Sequence, residues 1–168
     1  MSRAEDRRLT AVFEANQADL LRYICRRVDS FDDASDVLGD SMVAAWRNIK
    51  RMPRTNEQAR MWLFGIARNA LLNAQRGARR RTAASIELAA ALRARNQNND
   101  PAEQAEALDV RQALLKLPIH LAELLRLVHW EGFSITDAAS ILHTPASTAR
   151  SQYAVAKTLL RTELAVRR

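Results

Sequence analysis

The sequence contains little of what disulfide-linked and metal-binding proteins need. Cys25 is the only cysteine among 168 residues, which excludes an internal disulfide and a cluster of thiolate metal ligands, and we interpret it as a small core residue. The three histidines lie nine and fourteen residues apart and match no zinc spacing. We therefore expect neither a metal nor another cofactor.

Long apolar runs are also absent. No stretch approaches the length of a membrane-spanning helix, and the first residues are charged, unlike those of a signal peptide. The sequence thus predicts a cytoplasmic protein that does not insert into a membrane.

Glycine and proline are scarce. Four residues of each leave little turn chemistry for a β-rich fold, whereas alanine, leucine and arginine, which favour helices, are abundant. Hydrophobic residues make up 48% of the chain and can supply packed cores. We predict an all-α fold.

Positive charge is concentrated in two segments. Residues 51–81 carry eight basic and one acidic side chain, and residues 110–168 carry eight and four, whereas residues 82–109 carry two and five. All but three of the 26 basic residues are arginine, whose guanidinium group suits phosphate and guanine. This distribution indicates two contacts with a polyanion, joined by a segment that avoids it.

Two amphipathic helices are predicted before residue 51. The first extends from Leu9 to Val28, where apolar residues recur at helical spacing. The second extends from Asp32 to Lys50, after a helix-start signal formed by Ser30 and Asp33. We expect Trp46 on the inward stripe of this second helix.

A third helix, Met61 to Arg81, has one apolar and one polar side. A capping box of Thr55 and Gln58 precedes it. We interpret Trp62 as a core residue because it shares the apolar stripe. The helix runs into a cluster of arginines, and a packed helix that ends in guanidinium groups is typical of a nucleic-acid surface.

The chain is predicted to divide into two small helical domains. Residues 82–99 end in Asn96-Gln97-Asn98-Asn99, which has no apolar group to bury, and we interpret them as a flexible linker between residues 1–81 and 100–168. Beyond the linker, Asp100-Pro101 predicts the start of a fourth helix that continues to about Lys116, with Leu115 facing inward. Ile119 to Trp130 follows as a strongly apolar helix.

A helix-turn-helix closes the second domain. Its first helix starts at Ser134, with Asp137 as the reciprocal cap, and its second starts at Thr144 with Pro145 in the first turn. Glycine is common where His143 stands in the turn, and histidine tolerates a positive φ better than most residues. Such helix pairs also occur in proteins that never touch DNA.

Two separated blocks match one family together. The first block contains Asp33-Ala34-Ser35-Asp36-Val37-Leu38-Gly39, Ala45-Trp46 and Trp62-Leu63-Phe64-Gly65-Ile66-Ala67-Arg68-Asn69. The second contains Leu117-Pro118 and Ser147-Thr148-Ala149-Arg150-Ser151-Gln152. With these motifs the chain resembles the extracytoplasmic-function (ECF) group of bacterial RNA polymerase sigma factors.

The resemblance implies an alternative sigma factor that directs promoter-specific transcription initiation. Residues 1–81, sigma region 2, would bind the β′ clamp helices of core RNA polymerase and the promoter −10 element. Residues 100–168, sigma region 4, would bind the −35 element and the β flap. Such factors are commonly held by an anti-sigma factor, which would keep an otherwise cytoplasmic protein at the membrane.

Site residues follow by position from the same resemblance. The residues implied in polymerase binding are Asp33, Asp36 and Asp40. Those implied at the −10 element are Asn69, Asn73, Arg76, Arg79, Arg80 and Arg81. Those implied at the −35 element are Thr148, Arg150, Ser151, Gln152 and Lys157. No catalytic residue is implied.

Four positions depart from the family pattern. Ser35 and Gly39 stand where the family has Glu and Gln, which predicts a weaker or differently distributed polymerase contact. Gln152 and Val155 stand where a basic residue is common, so positive charge is removed from the helix that faces the major groove. Because Gln can bind adenine bidentately, the −35 preference is expected to change.

Two other functions remain open on the residues alone. A stand-alone helix-turn-helix regulator would act as a dimer and would leave core polymerase unaffected. An enzyme acting on nucleic acid would need general acid/base or metal-ligand spacing, which the carboxylates between Asp33 and Asp40 do not provide.

Overall fold

The fold is all-α, as predicted. The computed structural model describes residues 3–82 and 101–166, with side chains described for residues 3–77 and 109–166. These residues form seven α-helices and one 3-10 turn. The chain divides into two compact units, Met1–Arg95 and Asn96–Arg168. The predicted linker, residues 82–99, lies outside the described residues except for Thr82.

The described residues of the first unit form a bundle of three helices, each packed against the other two. They are α1 (Arg3–Cys25), α2 (Phe31–Arg47) and α3 (Asn56–Thr82), with a 3-10 turn at Ile49–Arg51 between the last two. An edge-to-face pair of Tyr23 and Phe64, with ring centroids 5.2 Å apart, lies in the core between α1 and α3. The helices therefore form around one aromatic and aliphatic centre.

Polar contacts fix α3 against α1. The Arg60 guanidinium donates to Asn16 Oδ1 at 2.9 Å and to Asp19 Oδ2 at 2.8 Å. It also lies 4.7 Å from the centroid of the Phe64 ring. Because Arg60 is only half-buried, its charge stays partly solvated while its stem covers the core. These contacts fix the rotation of α3 about its axis, and hence which side of α3 faces outward.

Three predicted helix starts are confirmed. Ser30 Oγ accepts from the amide of Asp33 at 3.0 Å, and Ser134 Oγ accepts from the amide of Asp137 at 3.1 Å. Thr55 Oγ1 accepts from the amide of residue 58 at 3.3 Å, immediately before α3. Each hydroxyl satisfies an amide that the first turn of a helix leaves without a partner.

In the second unit, residues 101–166 contain four helices. They are α4 (Pro101–Lys116), α5 (Ile119–His129), α6 (Ile135–Ile141) and α7 (Ala146–Ala165). Helices α4, α5 and α7 pack around a cluster of buried residues that also includes one residue from the turn between α4 and α5. Its members are Leu114, Leu117, Leu121, Ala122, Leu125 and Ala156. Helix α4 starts at Pro101 and ends at Lys116, as the sequence predicts.

Helices α6 and α7 form the predicted helix-turn-helix. His143 has a φ of 54°, in the left-handed region, so the prediction for this turn residue is confirmed. The amide of His143 bonds to the Ser140 carbonyl at 3.2 Å, and the amide of Thr144 bonds to the Ala139 carbonyl at 2.9 Å. This pair of bonds is a Schellman motif, which satisfies the last carbonyls of α6.

Several helix ends and four side chains differ from the predictions. Helix α1 is Arg3–Cys25 rather than Leu9 to Val28, α2 is Phe31–Arg47 rather than Asp32 to Lys50, and α3 begins at Asn56 rather than Met61. Helix α7 begins at Ala146 with Pro145 as its N-cap, one residue outside the predicted first turn, because Pro145 has an extended ψ of 139°. Cys25 is exposed at the end of α1, where the buried residues are Tyr23 and Ile24. The other three corrections concern tryptophan and leucine side chains.

The inward stripes of α2, α3 and α4 are rotated from their predicted positions. Trp46 is 36% exposed, Trp62 is half-buried, and Leu115 is 76% exposed. In α4 the neighbouring Leu114 is buried instead. One residue along a helix is a turn of about 100°, so a small rotation moves a whole stripe between core and surface.

Candidate nucleic-acid interface

The outer face of α3 carries the amides predicted to contact the −10 element. Asn69 and Asn73 are exposed and lie one turn apart, so their side chains are neighbours. The opposite side of α3 is buried through Leu63, Ala67 and Leu71. The core therefore fixes the outward direction of both amides.

Two further side chains lie on the same face of α3. Arg76 is exposed and follows Asn69 by seven residues, and the half-buried Trp62 precedes it by seven. Seven residues are two helical turns, which places all three in one row with Asn73 beside them. We call this row, formed by Trp62, Asn69, Asn73 and Arg76, the α3 row. It combines an aromatic ring, two amides and a cation, which suits an unstacked nucleotide strand.

The remaining arginines of the predicted −10 site lie at the end of α3. The helix continues through Gly77 to Thr82, so the backbone of Arg79, Arg80 and Arg81 is helical. Their side chains lie outside the described set.

Helix α7 presents three zones. Its buried side carries Ala149 and Ala156, packed against the rest of the unit. A basic edge is formed by Arg150, Lys157 and Arg161. An apolar edge, on the other side of the exposed surface, is formed by Val155 and Leu159. Small polar residues lie between these edges, including Ser147, Ser151 and Thr158.

The predicted −35 residues are divided among these zones. Thr148, Arg150 and Ser151 are exposed, whereas Gln152 and Lys157 are half-buried. The Lys157 ammonium lies 5.0 Å from the centroid of the Tyr153 ring. The Tyr153 hydroxyl is in turn 2.9 Å from His129 Nε2, which connects α7 to the end of α5. Lys157 is thus directed toward its own unit, and Arg150 is the cation nearest the start of α7.

Helix α2 exposes the predicted polymerase contacts. Asp33, Asp36 and Asp40 are all exposed, opposite the buried Ala34, Val37 and Ala45. The carboxylate of Asp33 also accepts from Ser30 Oγ at 2.7 Å, so one of its oxygens serves the helix cap.

Two apolar side chains share this outer side of α2. Val43 is exposed seven residues after Asp36, and Trp46 is exposed three residues further. Together they add apolar area to an otherwise acidic surface, and aromatic residues are enriched at protein interfaces. Val43 was not identified from the sequence, although its seven-residue spacing places it on the same side of α2 as Asp36.

Neither a metal site nor a membrane-spanning helix is present among the described residues. In the described parts of the chain, no group of three or more His, Cys, Asp and Glu side chains is arranged to hold a metal ion. Among the described helices, none is both long and apolar enough to cross a membrane.

The sequence matches known families in both units. Sigma-70 region 2 matches residues 12–81, and sigma-70 region 4 matches residues 107–160. The ECF RNA polymerase sigma factor SigL of Mycobacterium tuberculosis is 29% identical over 165 residues, covering 96% of this chain and 91% of SigL. SigM of the same organism is 30% identical over 129 residues, covering 77% of this chain and 63% of SigM.

Solved structures show the same fold. The sigma factor RpoE, in complex with the anti-sigma factor NepR from Bartonella quintana, is similar with a TM-score of 0.67 at 25% identity, covering 99% of this chain and 100% of RpoE. CnrH, in complex with the cytosolic domain of CnrY, has a TM-score of 0.66 at 21% identity, covering 96% and 90%. The chain belongs to the ECF group of RNA polymerase sigma factors. It is an alternative sigma factor, which binds core RNA polymerase and promoter DNA at transcription initiation.

The exposed faces described above belong to the residues that the two family models match. The α3 row and the outer side of α2 lie within the region 2 match, and the exposed part of α7 up to residue 160 lies within the region 4 match. Sequence reasoning missed Trp62 as a member of the α3 row, although its seven-residue spacing from Asn69 was visible.

Proposed function

We propose that three surfaces of this sigma factor each bind a different ligand. The α3 row and Arg79 to Arg81 bind the −10 element, the exposed side of α7 binds the −35 element, and the outer side of α2 binds the β′ clamp helices. The supporting observation is that the predicted amides and carboxylates are exposed on helices whose opposite sides form the core.

The chemistry of each surface fits its proposed ligand. Asparagine amides carry both donors and acceptors and can bond to the edges of unpaired bases, while arginines hold the phosphates. Aspartates on α2 complement a basic surface, and Val43 and Trp46 add apolar area there. We propose that the protein acts in the cytoplasm with no catalysis of its own.

An anti-sigma factor is the proposed regulator. RpoE, which shares the fold over the whole chain, was solved with the anti-sigma factor NepR bound. The exposed apolar residues of α2, Phe31, Val43 and Trp46, are the kind of surface that such a partner covers. The β flap is the proposed polymerase contact of the second unit.

The polymerase contact is tested by binding of the full chain to core RNA polymerase. We expect Asp36→Asn and Asp40→Asn to weaken holoenzyme formation, because each removes a charge that complements the partner. Glu14→Gln removes an exposed carboxylate of α1 and is the matched control. Equal affinities for all three variants would contradict the assignment of α2.

The two DNA contacts are tested with the reconstituted holoenzyme. Arg150→Ala should reduce discrimination at one −35 position by about 1–3 kcal/mol, because a base contact is lost. Arg80→Ala should weaken binding to all promoters alike and lower the salt slope by about one unit, because a phosphate contact is lost. Arg111→Ala, at an exposed position of α4, is the control. The proposal fails if Arg150→Ala and Arg80→Ala act identically on every sequence.

A further inference from the structure

The apolar edge of α7, formed by Val155 and Leu159, lies on the exposed side of the helix that would contact DNA in the proposed function. Val155 is 51% exposed, with the exposed Ser151 one turn before it and Thr148 two turns before it. Positions separated by four and seven residues lie on one side of a helix. Val155 is therefore in line with two residues already assigned to the −35 contact.

No cation of α7 shares this edge. Arg150 precedes Val155 by five residues and Arg161 follows it by six, which places them about 140° and 120° from Val155 around the helix, both toward the basic edge. Lys157 is held against the Tyr153 ring. The apolar edge therefore lacks a cation of α7 for an ionic contact with a phosphate.

Two neighbouring hydroxyls donate within α7 rather than outward. Ser151 Oγ donates to the Ser147 carbonyl at 3.3 Å, and Thr158 Oγ1 donates to the Ala154 carbonyl at 3.2 Å. Both bonds close within α7. Ser151 and Thr158 therefore present lone pairs, while the Thr148 hydroxyl and the Gln152 amide remain as donors on this side of α7. Val155 itself offers only methyl groups.

We propose that Val155 determines specificity at the −35 element by packing against the C5 methyl group of a thymine. This inference rests on the proposed function, in which α7 enters the major groove of the −35 element. The thymine methyl is the one apolar group that the base edges present in the major groove. Packing Val155 against cytosine would instead cover the N4 donor without supplying an acceptor, which is unfavourable. The −35 element is thus expected to contain an A·T pair with its thymine facing Val155.

The test removes single methyl groups from the DNA. A −35 element is first selected from a library by the holoenzyme formed from the full chain and core polymerase. Each thymine in it is then replaced by deoxyuridine, which lacks only the C5 methyl. At one position we expect affinity of the wild-type holoenzyme to fall about fourfold, as for the loss of one buried methyl group. Val155→Ala should bind the thymine and deoxyuridine promoters equally well.

A second valine provides the matched control. Val166 is 76% exposed and lies eleven residues further on, about 16 Å along the helix direction. Val166→Ala should keep the fourfold difference between thymine and deoxyuridine. In addition, placing 5-methylcytosine at the responsive position should restore part of the affinity that cytosine loses, because the methyl group returns.

Some results would contradict only the role of Val155, and another would contradict the proposed function as well. The inference is overturned by a selected −35 element without an A·T pair, by no response to deoxyuridine at any position, or by the same response in wild type and Val155→Ala. If the holoenzyme initiates from no specific promoter, the proposed function fails as well.

Discussion

His143→Gly should stabilise the second unit. The left-handed conformation of His143, with φ at 54°, costs a residue with a Cβ about 1–2 kcal/mol, and glycine avoids this cost. Glycine loses about 0.5–1 kcal/mol through its greater freedom in the unfolded chain. The expected net gain in the free energy of unfolding is about 0.5–1 kcal/mol, or about 2–8 °C in the melting temperature of a unit of this size.

The same substitution at a helical position should act in the opposite direction. His120 is also exposed, but it lies in the first turn of α5, where glycine costs up to about 1 kcal/mol. Circular dichroism of the full chain during heating measures both effects, and hydrogen exchange of α5 to α7 assigns the transition to the second unit. If His143→Gly and His120→Gly destabilise to the same extent, the explanation of the turn is wrong.

Three further substitutions or reactions test the first unit. Gly39→Ala should raise the free energy of unfolding by about 0.5–1 kcal/mol in a urea titration, because Gly39 is exposed within α2 and an added Cβ meets nothing within 4 Å; a loss of stability would contradict this. Phe64→Ala should cost about 3–5 kcal/mol in the same titration, because it leaves a cavity beside Tyr23, and a cost below 1 kcal/mol would refute the proposed core. Cys25 should react fully with a thiol reagent in the folded chain, but more slowly near neutral pH than a free cysteine, because partial burial raises the pKa of its thiol and lowers the thiolate fraction. A rate profile against pH that matches free cysteine would contradict that prediction.

Local chemistry explains why the helix starts and the central turn were predictable. A hydroxyl three residues before an acidic or amide side chain satisfies the first amides of a helix wherever that helix packs, and Ser30, Thr55 and Ser134 all do so. The turn at His143 is equally local, because two backbone bonds close it. These features depend on a few neighbouring residues and not on the rest of the fold.

The rotation of each helix was less predictable because it depends on its partners. At the end of α4 the buried residues are Ala113 and Leu114, followed by Leu117 in the turn, and the sequence alone did not distinguish this stripe from one that includes Leu115. The burial of Trp62 was equally hard to predict, because α3 carries large apolar residues on both sides and the sequence does not show which side packs against the core. The direction of the Lys157 side chain depends on the Tyr153 ring, whose hydroxyl in turn contacts His129 of α5.

The residues of the candidate site were therefore predictable from the sequence, but the surfaces that they form together were not. Asn69, Asn73 and Arg150 are exposed as required, yet only the structure separates a basic edge from an apolar edge on α7. The composition of these edges depends on where Ala149 and Ala156 are buried, which fixes the orientation of the whole helix.

The two-site promoter contact is tested by selecting promoters from a library in which the −10 and −35 segments vary independently, using the full chain with core RNA polymerase. We expect two separate sequence blocks at a fixed spacing. Asn69→Ala should relax only the −10 block and Arg150→Ala only the −35 block, while Gln75→Ala, an exposed amide on another side of α3, should relax neither. Tight binding of the isolated chain to one palindromic site, with no effect on core polymerase, would contradict the account.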